Sequence, residues 1–290
     1  MRTEDLLIIL FCEVDDWVRQ HGVPARPGPV PACADSEVLT FALARELLGY
    51  DSERRFRRVL RDDWGHLFPR IPAQSELNRR TRWLWGALEQ LRRHYAARLP
   101  PATEDWYAFD TTPLPVKHPS RVRGPDQWCL PGGLVARFGR CAAKALWFYG
   151  FRLAVLTPLI DPVPVCWALV PAAVNERDVL PTVVEAATDG RVLADKGLRG
   201  KAVTQDLAGR GIFLLTPPTK QERATMPTAL QRFIAAHRNR IEGTFTAEKD
   251  QLHLERHRAL TAWGLLTRVA GKLAAFTLRA VWRRAGREVE

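Results

Sequence analysis

The sequence predicts an α/β protein preceded by a mostly helical region. Three observations carry that expectation. The first hundred residues show apolar side chains at helical spacing, broken only by short Pro-rich and Gly-rich stretches. From residue 105 the texture changes to short aromatic and β-branched runs that alternate with helical segments. Aspartates stand at the ends of two of those runs, and a glutamate stands in a later helical stretch.

The helical region comes first. Leu6, Leu7, Leu10, Val14, Trp17 and Val18 recur on one face of a first helix. Pro24 to Pro31 interrupts it. Asp35 or Ser36 is expected to cap a second helix carrying Leu39, Leu43 and Leu47, which stops at Gly49. Ser52 is expected to cap a short third helix, ERRFRRVLRDDW. After the Phe68–Pro72 turn one longer helix is expected from Ser75 to Leu99, ended by Pro100-Pro101.

The second region opens with Trp106-Tyr107-Ala108-Phe109, a strand ending at Asp110. Residues 117–145 are rich in Gly, Pro and cations and read as a long loop. Strands are expected over 147–157 and 163–170, a helix over 178–188, and a strand over 191–194 that ends at Asp195. A helix over 201–209 and a strand over 211–215 follow, and almost everything from Thr228 onward reads as helix. The expected division is a helical region, 1–100, and an α/β domain with C-terminal helices, 101–290.

Composition narrows the partners. A net charge of +11 in 290 residues favours a polyanion, nucleic acid before acidic membrane. The five cysteines form no C-x-x-C pair, so neither a zinc ribbon nor a dithiol redox motif is present; scattered thiols read as reduced and cytoplasmic. The N-terminal apolar run is flanked by acids and lacks a small-residue cleavage site, so it reads as an amphipathic helix rather than a signal peptide. No stretch of 18 uncharged apolar residues exists, so no membrane partner is expected.

Asp110, Asp195 and Glu242 are the candidate chemistry. Carboxylates from strand ends and an abutting helix can meet at one edge of an open sheet. Their mutual repulsion is relieved by divalent cations, and hard oxygen ligands suit magnesium or manganese. Two such ions, roughly 3.5–4 Å apart, serve phosphodiester chemistry by assisting both the attacking and the leaving oxygen. Taken singly, an aspartate after a strand is more often a turn former, and Glu242 has an ion-pair reading with Arg238.

The strings around these acids make the set specific. DTTPLPV, LADKGLRG and RNRIEGTF resemble the three acid-bearing segments of DDE transposases of bacterial insertion sequences. Arg238, Glu242 and Lys249 repeat that family's R, three residues, E, six residues, K spacing. FYGFRLAVLT, LVPAAVNERDVLP and the upstream run from Leu48 to Arg80 match as well. Leu198 stands where relatives carry an aromatic, and Ala235 where some carry a tyrosine. The resemblance implies a ribonuclease H-like catalytic domain, a mixed sheet flanked by helices. It implies Asp110, Asp195 and Glu242 as catalytic residues and ligands of two Mg2+ or Mn2+ ions. It further implies DNA cleavage at element ends with strand transfer into target DNA, assembly as a homodimer or larger on DNA, and a bacterial, nucleoid-associated location. The 47 residues from Asp195 to Glu242 leave no room for a large insertion domain.

Candidate DNA contacts are Arg54, Arg55, Arg57, Arg58, Arg79 and Arg80 on the first helices, where three helices after residue 35 could form a helix-turn-helix-like unit. Lys117, Arg121, Arg123 and Trp128 lie in the expected loop, with Trp128 able to stack on an unpaired base or to pack locally. Lys196, Arg238 and Lys249 flank the acids. His253 and His257 are four apart, but their order departs from H-E-x-x-H and a zinc site is not the expected reading. The C-terminal helix reads as a packing helix with Arg268, Lys272 and Arg279 on a basic face. Two alternatives stay open at this stage: a related nuclease without strand transfer, and a DNA-binding protein descended from a transposase.

Overall fold

The computed structural model describes residues 1–99, 106–124, 128–130, 133–141, 146–159, 163–185, 190–237, 254 and 257–287. The chain divides into two compact units, one formed by Met1–Leu99 with Gln251–Glu290 and the other by Pro100–Asp250.

The first unit is helical. It contains α1 (Thr3–His21), α2 (Asp35–Leu47), α3 (Glu53–Asp63), α4 (Gln74–Trp83), α5 (Trp85–Ala96) and, from the far end of the chain, the helix Ala262–Arg284. α1 starts with Glu4 and Asp5 and ends with Arg19 and His21, charges that suit the helix dipole, and stops at Gly22 in a left-handed conformation (φ 72°). The cap of α2 differs from expectation. Ala34 is the N-cap, and its N–H donates to Glu37 Oε2 at 2.5 Å. Asp35 instead accepts from Arg80, so its carboxylate is committed elsewhere. Ser52 caps α3 as expected, its hydroxyl accepting from Arg55 N at 3.3 Å.

The single helix expected over 75–99 is two. Leu84 (φ −90°, ψ 11°) leaves helical geometry between α4 and α5, and Gly86 just beyond weakens helix propensity there. The final helix packs on α5 and α2 and buries Leu265, Val269, Leu273, Leu278 and Trp282. It was expected alongside the catalytic sheet; its apolar stripe is instead spent on the helical unit. Its basic face is also not solvated. Lys272 is 5% exposed and pairs with Glu46 at 2.8 Å, Arg268 pairs with Glu53 at 3.1 Å, and Arg279 donates to Leu47 O at 2.7 Å. Arg45, which bonds both Glu46 and Glu53, completes a buried charge network.

The second unit is a mixed α/β layer structure, a mixed sheet flanked by helices as expected. Its strands are β1 (Trp106–Lys117), β2 (Arg137–Cys141), β3 (Leu146–Pro158), β4 (Cys166–Pro171), β5 (Arg191–Ala194) and β6 (Phe213–Leu215). The sheet order is β2-β3-β1-β5-β6, with β4 pairing the same edge of β3 further along than β2. β1, β5 and β6 are parallel neighbours, while β3 is antiparallel to β1, β2 and β4. One face is covered by α6 (Glu176–Val184) and α7 (Lys201–Gly209), whose Val179, Leu180, Val183 and Leu207 pack on Phe109, Leu156, Val192 and Ala194. α8 (Lys220–Thr225) follows β6. Residues 228–237 are helical and supply Leu230 and Ile234 to a second cluster with Trp106, Leu193 and Leu215. Trp106 and Leu193 alternate with the Phe109 and Ala194 positions, so that helix covers the opposite face.

The loop expected over 117–145 is only partly loop, because β1 runs on to Lys117 and β2 occupies Arg137–Cys141. β1 holds Pro113 and Pro115, which is unusual for a strand inside a sheet. The register explains it. Leu159 N donates to Trp106 O, so even positions of β1 bond toward β3 and odd positions turn toward β5. β5 pairs with β1 only as far as Phe109, so both prolines turn their N–H-free side to an edge that no described strand occupies. On the β3 side the backbones approach closely: a Cβ at Gly150 would sit 2.2 Å from Leu114 O.

Candidate functional site

The last register pair of β1 and β5 is Phe109 with Ala194. Asp110 and Asp195 are the next residues on each strand. Their backbones therefore stand about one strand spacing apart, ~4.8 Å. Phe109 and Ala194 are buried under α6 and α7. Alternation turns Asp110 to the sheet's other face, the face covered by the helix at 228–237, and Asp195, still extended (φ −67°, ψ 158°), follows the same sense. Asp110 is half-buried and Asp195 exposed. That helix, anchored by Phe233 on Trp106 (ring centroids 4.5 Å apart), leads within five residues to Glu242. Glu242, Arg238 and Lys249 themselves lie outside the described residues.

The turn after Asp195 is built by its own sequence. Residues Lys196–Leu198 form a single 3-10 turn, with Leu198 N donating to Asp195 O at 3.0 Å. Leu198, where relatives carry an aromatic, is 2% exposed and packs in the cluster beneath the sheet.

A clamp that sequence reasoning missed holds both aspartate segments. Asn175 caps α6, its side chain accepting from Arg177 N at 3.0 Å. Glu176 Oε1 accepts from Thr111 Oγ1 at 2.7 Å, next to Asp110, and from Arg152 of β3 at 2.5 Å. Arg177 donates from Nε (3.1 Å) and Nη2 (3.0 Å) to the carbonyl of Gly197. Arg152 is itself fixed on Ala172 O and Arg140 O. The string NERD was visible; the signal available was a helix-capping Asn followed by a charged first turn, which marks a helix start but not what the charges hold.

The family model described as "Transposase DDE domain" matches residues 101–278, more than half of the chain. The chain belongs to the DDE transposases. None of the curated proteins is similar enough in sequence to count as a match. Among solved structures the transposase is similar to the piggyBac transposase synaptic complex with hairpin DNA, at 10% identity and a TM-score of 0.44, over 99% of this chain and 74% of that one. It is similar to the Drosophila P element transposase strand transfer complex at 12% identity and a TM-score of 0.33, over 73% of this chain and 47% of that one. The Mos1 transposase paired-end complex gives 12% identity and a TM-score of 0.25, over 96% and 88%. Membership rests on the family match alone.

The expected DNA contacts of the transposase fall in different environments. Arg54, Arg55 and Arg58 are exposed along α3, with Arg55 5.8 Å from the Tyr50 ring centre. Arg57 is half-buried and donates to Pro72 O at 3.4 Å, and Arg79 is exposed. Arg80 is 1% exposed and bonds Asp35 at 2.5 Å, which removes it from the outer surface. Lys117 ends β1, Arg121 and Arg123 are exposed just beyond it, and Lys196 is exposed beside Asp195. Trp128 is 5% exposed in a local hairpin where Ala136 N donates to its carbonyl, so of its two readings the packed one holds. His257 is buried and its Nδ1 accepts from Ala259 N at 3.0 Å; His253 is outside the described residues. Among the described residues no group of three His, Cys, Asp or Glu side chains could hold a metal ion, and no helix is long and apolar enough to cross a membrane.

Proposed function

We propose that this transposase cuts DNA at the ends of a bacterial insertion sequence and joins the freed ends to target DNA, with Asp110, Asp195 and Glu242 as its catalytic residues. The observation that carries the reading is the pair of aspartates that directly follow Phe109 and Ala194 on neighbouring parallel strands. The helix at 228–237 supports the third acid, because it packs on the face toward which the aspartates turn and its chain continues to Glu242.

The donor set fits hard cations: oxygen ligands only, with Asp110 half-buried and Asp195 exposed. Asp110, Asp195 and Glu242 would hold two magnesium or manganese ions, which when bound supply charge stabilisation to the attacking and leaving oxygens. The clamp of Thr111, Arg152, Glu176 and Arg177 keeps the two aspartate segments at fixed separation, so little reorganisation is needed at the moment of reaction. Water attacks the phosphodiester at an element end and the 3′ oxygen leaves; the resulting 3′-hydroxyl then attacks a target phosphodiester. Lys196, beside Asp195, and Arg238 and Lys249, beside Glu242, are placed in sequence to meet the phosphate. Arg54, Arg55, Arg58 and Arg79, and Lys117, Arg121 and Arg123 beyond β1, are the proposed backbone contacts. Two copies would be required to hold two element ends at once.

The test is cleavage and strand transfer on element-end DNA with Mg2+ or Mn2+, comparing wild type with Asp110→Asn, Asp195→Asn and Glu242→Gln. Each variant should lose both activities while keeping DNA affinity. A folded variant that cuts at the wild-type rate would remove that residue from the set.

A further inference from the structure

The helical unit carries a cleft of about 630 Å³ whose chemistry the acid triad does not use. Trp83, Trp85 and Trp263 line it, together with Arg26, Arg79 and Arg82. Among the described residues no carboxylate lines it. Trp83 is 48% exposed and Trp263 38%, a large apolar surface to leave in water. Trp83 is held in place by its Nε1, which donates to Pro24 O at 3.3 Å, and the rings of Trp85 and Trp263 stand 6.4 Å apart at 59°. Among the described residues Arg26, Arg79 and Arg82 join no ion pair.

Arg80 supplies the second observation. It lines the same cleft, is 1% exposed, and spends one Nη on Asp35. Its Nε and other Nη are buried without a hydrogen-bond partner among the described residues. Buried donors of a guanidinium are normally satisfied, so two left over beside an open, acid-free cleft point to an anionic ligand.

Flat apolar rings beside Arg26, Arg79 and Arg82, which join no ion pair among the described residues, match a ligand that is planar at one end and anionic at the other. We propose that this cleft takes a nucleotide unit of a single DNA strand, its base stacked on Trp83 and Trp263 and its phosphate held by Arg79 and Arg82, with the buried charge of Arg80 adding to the positive field. Stacking requires an unpaired base, so the cleft separates single-stranded from fully paired DNA without reading sequence. The inference rests on the reading of the protein as DNA-binding, but on a different surface from the acid triad.

The experiment uses the full chain and two fluorescent probes, a single-stranded oligothymidylate and a blunt mixed-sequence duplex, with affinity read by anisotropy. Trp83→Ala and Trp263→Ala should each weaken single-strand binding about five- to hundredfold, as expected for loss of one stacked base, and leave duplex binding within about twofold. Trp83→Phe should restore most of the loss, since a ring remains. Both tryptophans are well exposed, and an unchanged melting temperature checks the fold. Equal losses on both probes, or no loss on either, would overturn the cleft assignment while leaving DNA binding intact. A wild-type chain that binds neither probe would overturn both readings.

Discussion

Arg177 directs two guanidinium hydrogen bonds at one carbonyl, that of Gly197, two residues past Asp195. Neighbouring Glu176 reaches Thr111, one residue past Asp110. The first turn of one helix therefore ties together the two strand ends that carry the aspartates. Arg177→Ala should lower the cleavage rate about tenfold or more at saturating DNA and raise the Mn2+ concentration needed for half-maximal rate. The bonds are at the surface, so thermal stability should fall by no more than ~1 kcal/mol. Arg177→Lys, with a point charge instead of a fork, should recover part of the rate. A rate unchanged in Arg177→Ala would show that the turn holds itself.

The charge network of the helical unit gives a stability prediction. Glu46 is buried between Arg45 and Lys272. Glu46→Gln leaves two buried cations short of a partner and should cost ~3–5 kcal/mol in chemical denaturation. A loss below ~1 kcal/mol would mean that water reaches the network.

The same network sets an acid limit. Burial opposes ionisation of Glu46, but Arg45 and Lys272 outweigh it and hold its pKa below the ordinary 4.5; burial likewise opposes Glu53, outweighed by Arg45 and Arg268. Carboxylates lowered in the folded state stabilise it above pH 4.5, and that contribution is lost as pH falls through their folded values. Denaturation midpoints should hold from pH 7 to about pH 5 and then fall. The fall should be shallower in Glu46→Gln.

Salt dependence tests the proposed α3 surface. Replacing Arg54, Arg55 and Arg58 by Gln should flatten the slope of log affinity against log salt by about two to three, near 0.9 per lost phosphate contact. Arg57 is left in place because it bonds Pro72 O. An identical slope would put the phosphate contacts elsewhere.

Ending the chain after Leu260 tests the helical unit's composition. The deletion removes buried Leu265, Val269, Leu273 and Trp282 from α2 and α5. Helical circular dichroism should drop by more than the 23 residues of the deleted helix account for. A proportional drop would show that the first five helices stand alone.

Elements whose local pattern and tertiary use agree were legible in the sequence: α1, β5 and α7 fall where periodicity puts them. The misses have physical causes. Pro113 and Pro115 argue against a strand, and only the short reach of β5 makes them harmless. Arg80 and Lys272 read as surface groups because sequence shows charge but not the partner that buries it, which for Lys272 lies 226 residues away. The neighbouring strand-end positions of Asp110 and Asp195 were legible because each follows an apolar run. The clamp was not, since no local spacing joins Arg177 to Gly197.

The helical unit takes its last helix from beyond the sheet unit in sequence. During synthesis α1 to α5 emerge while Leu265, Leu273 and Trp282 have yet to be made, and at 5–20 residues per second that gap lasts roughly ten to thirty seconds. For that interval their apolar faces have no lasting cover. Every nascent chain thus passes through a state in which the sheet can already fold while the helices await their partner, and a chaperone that holds exposed apolar helices would find its substrate there. A message cut short before Ala262 would yield a sheet beside helices that lack their last partner, and the Arg- and Trp-lined surface would lack Trp263.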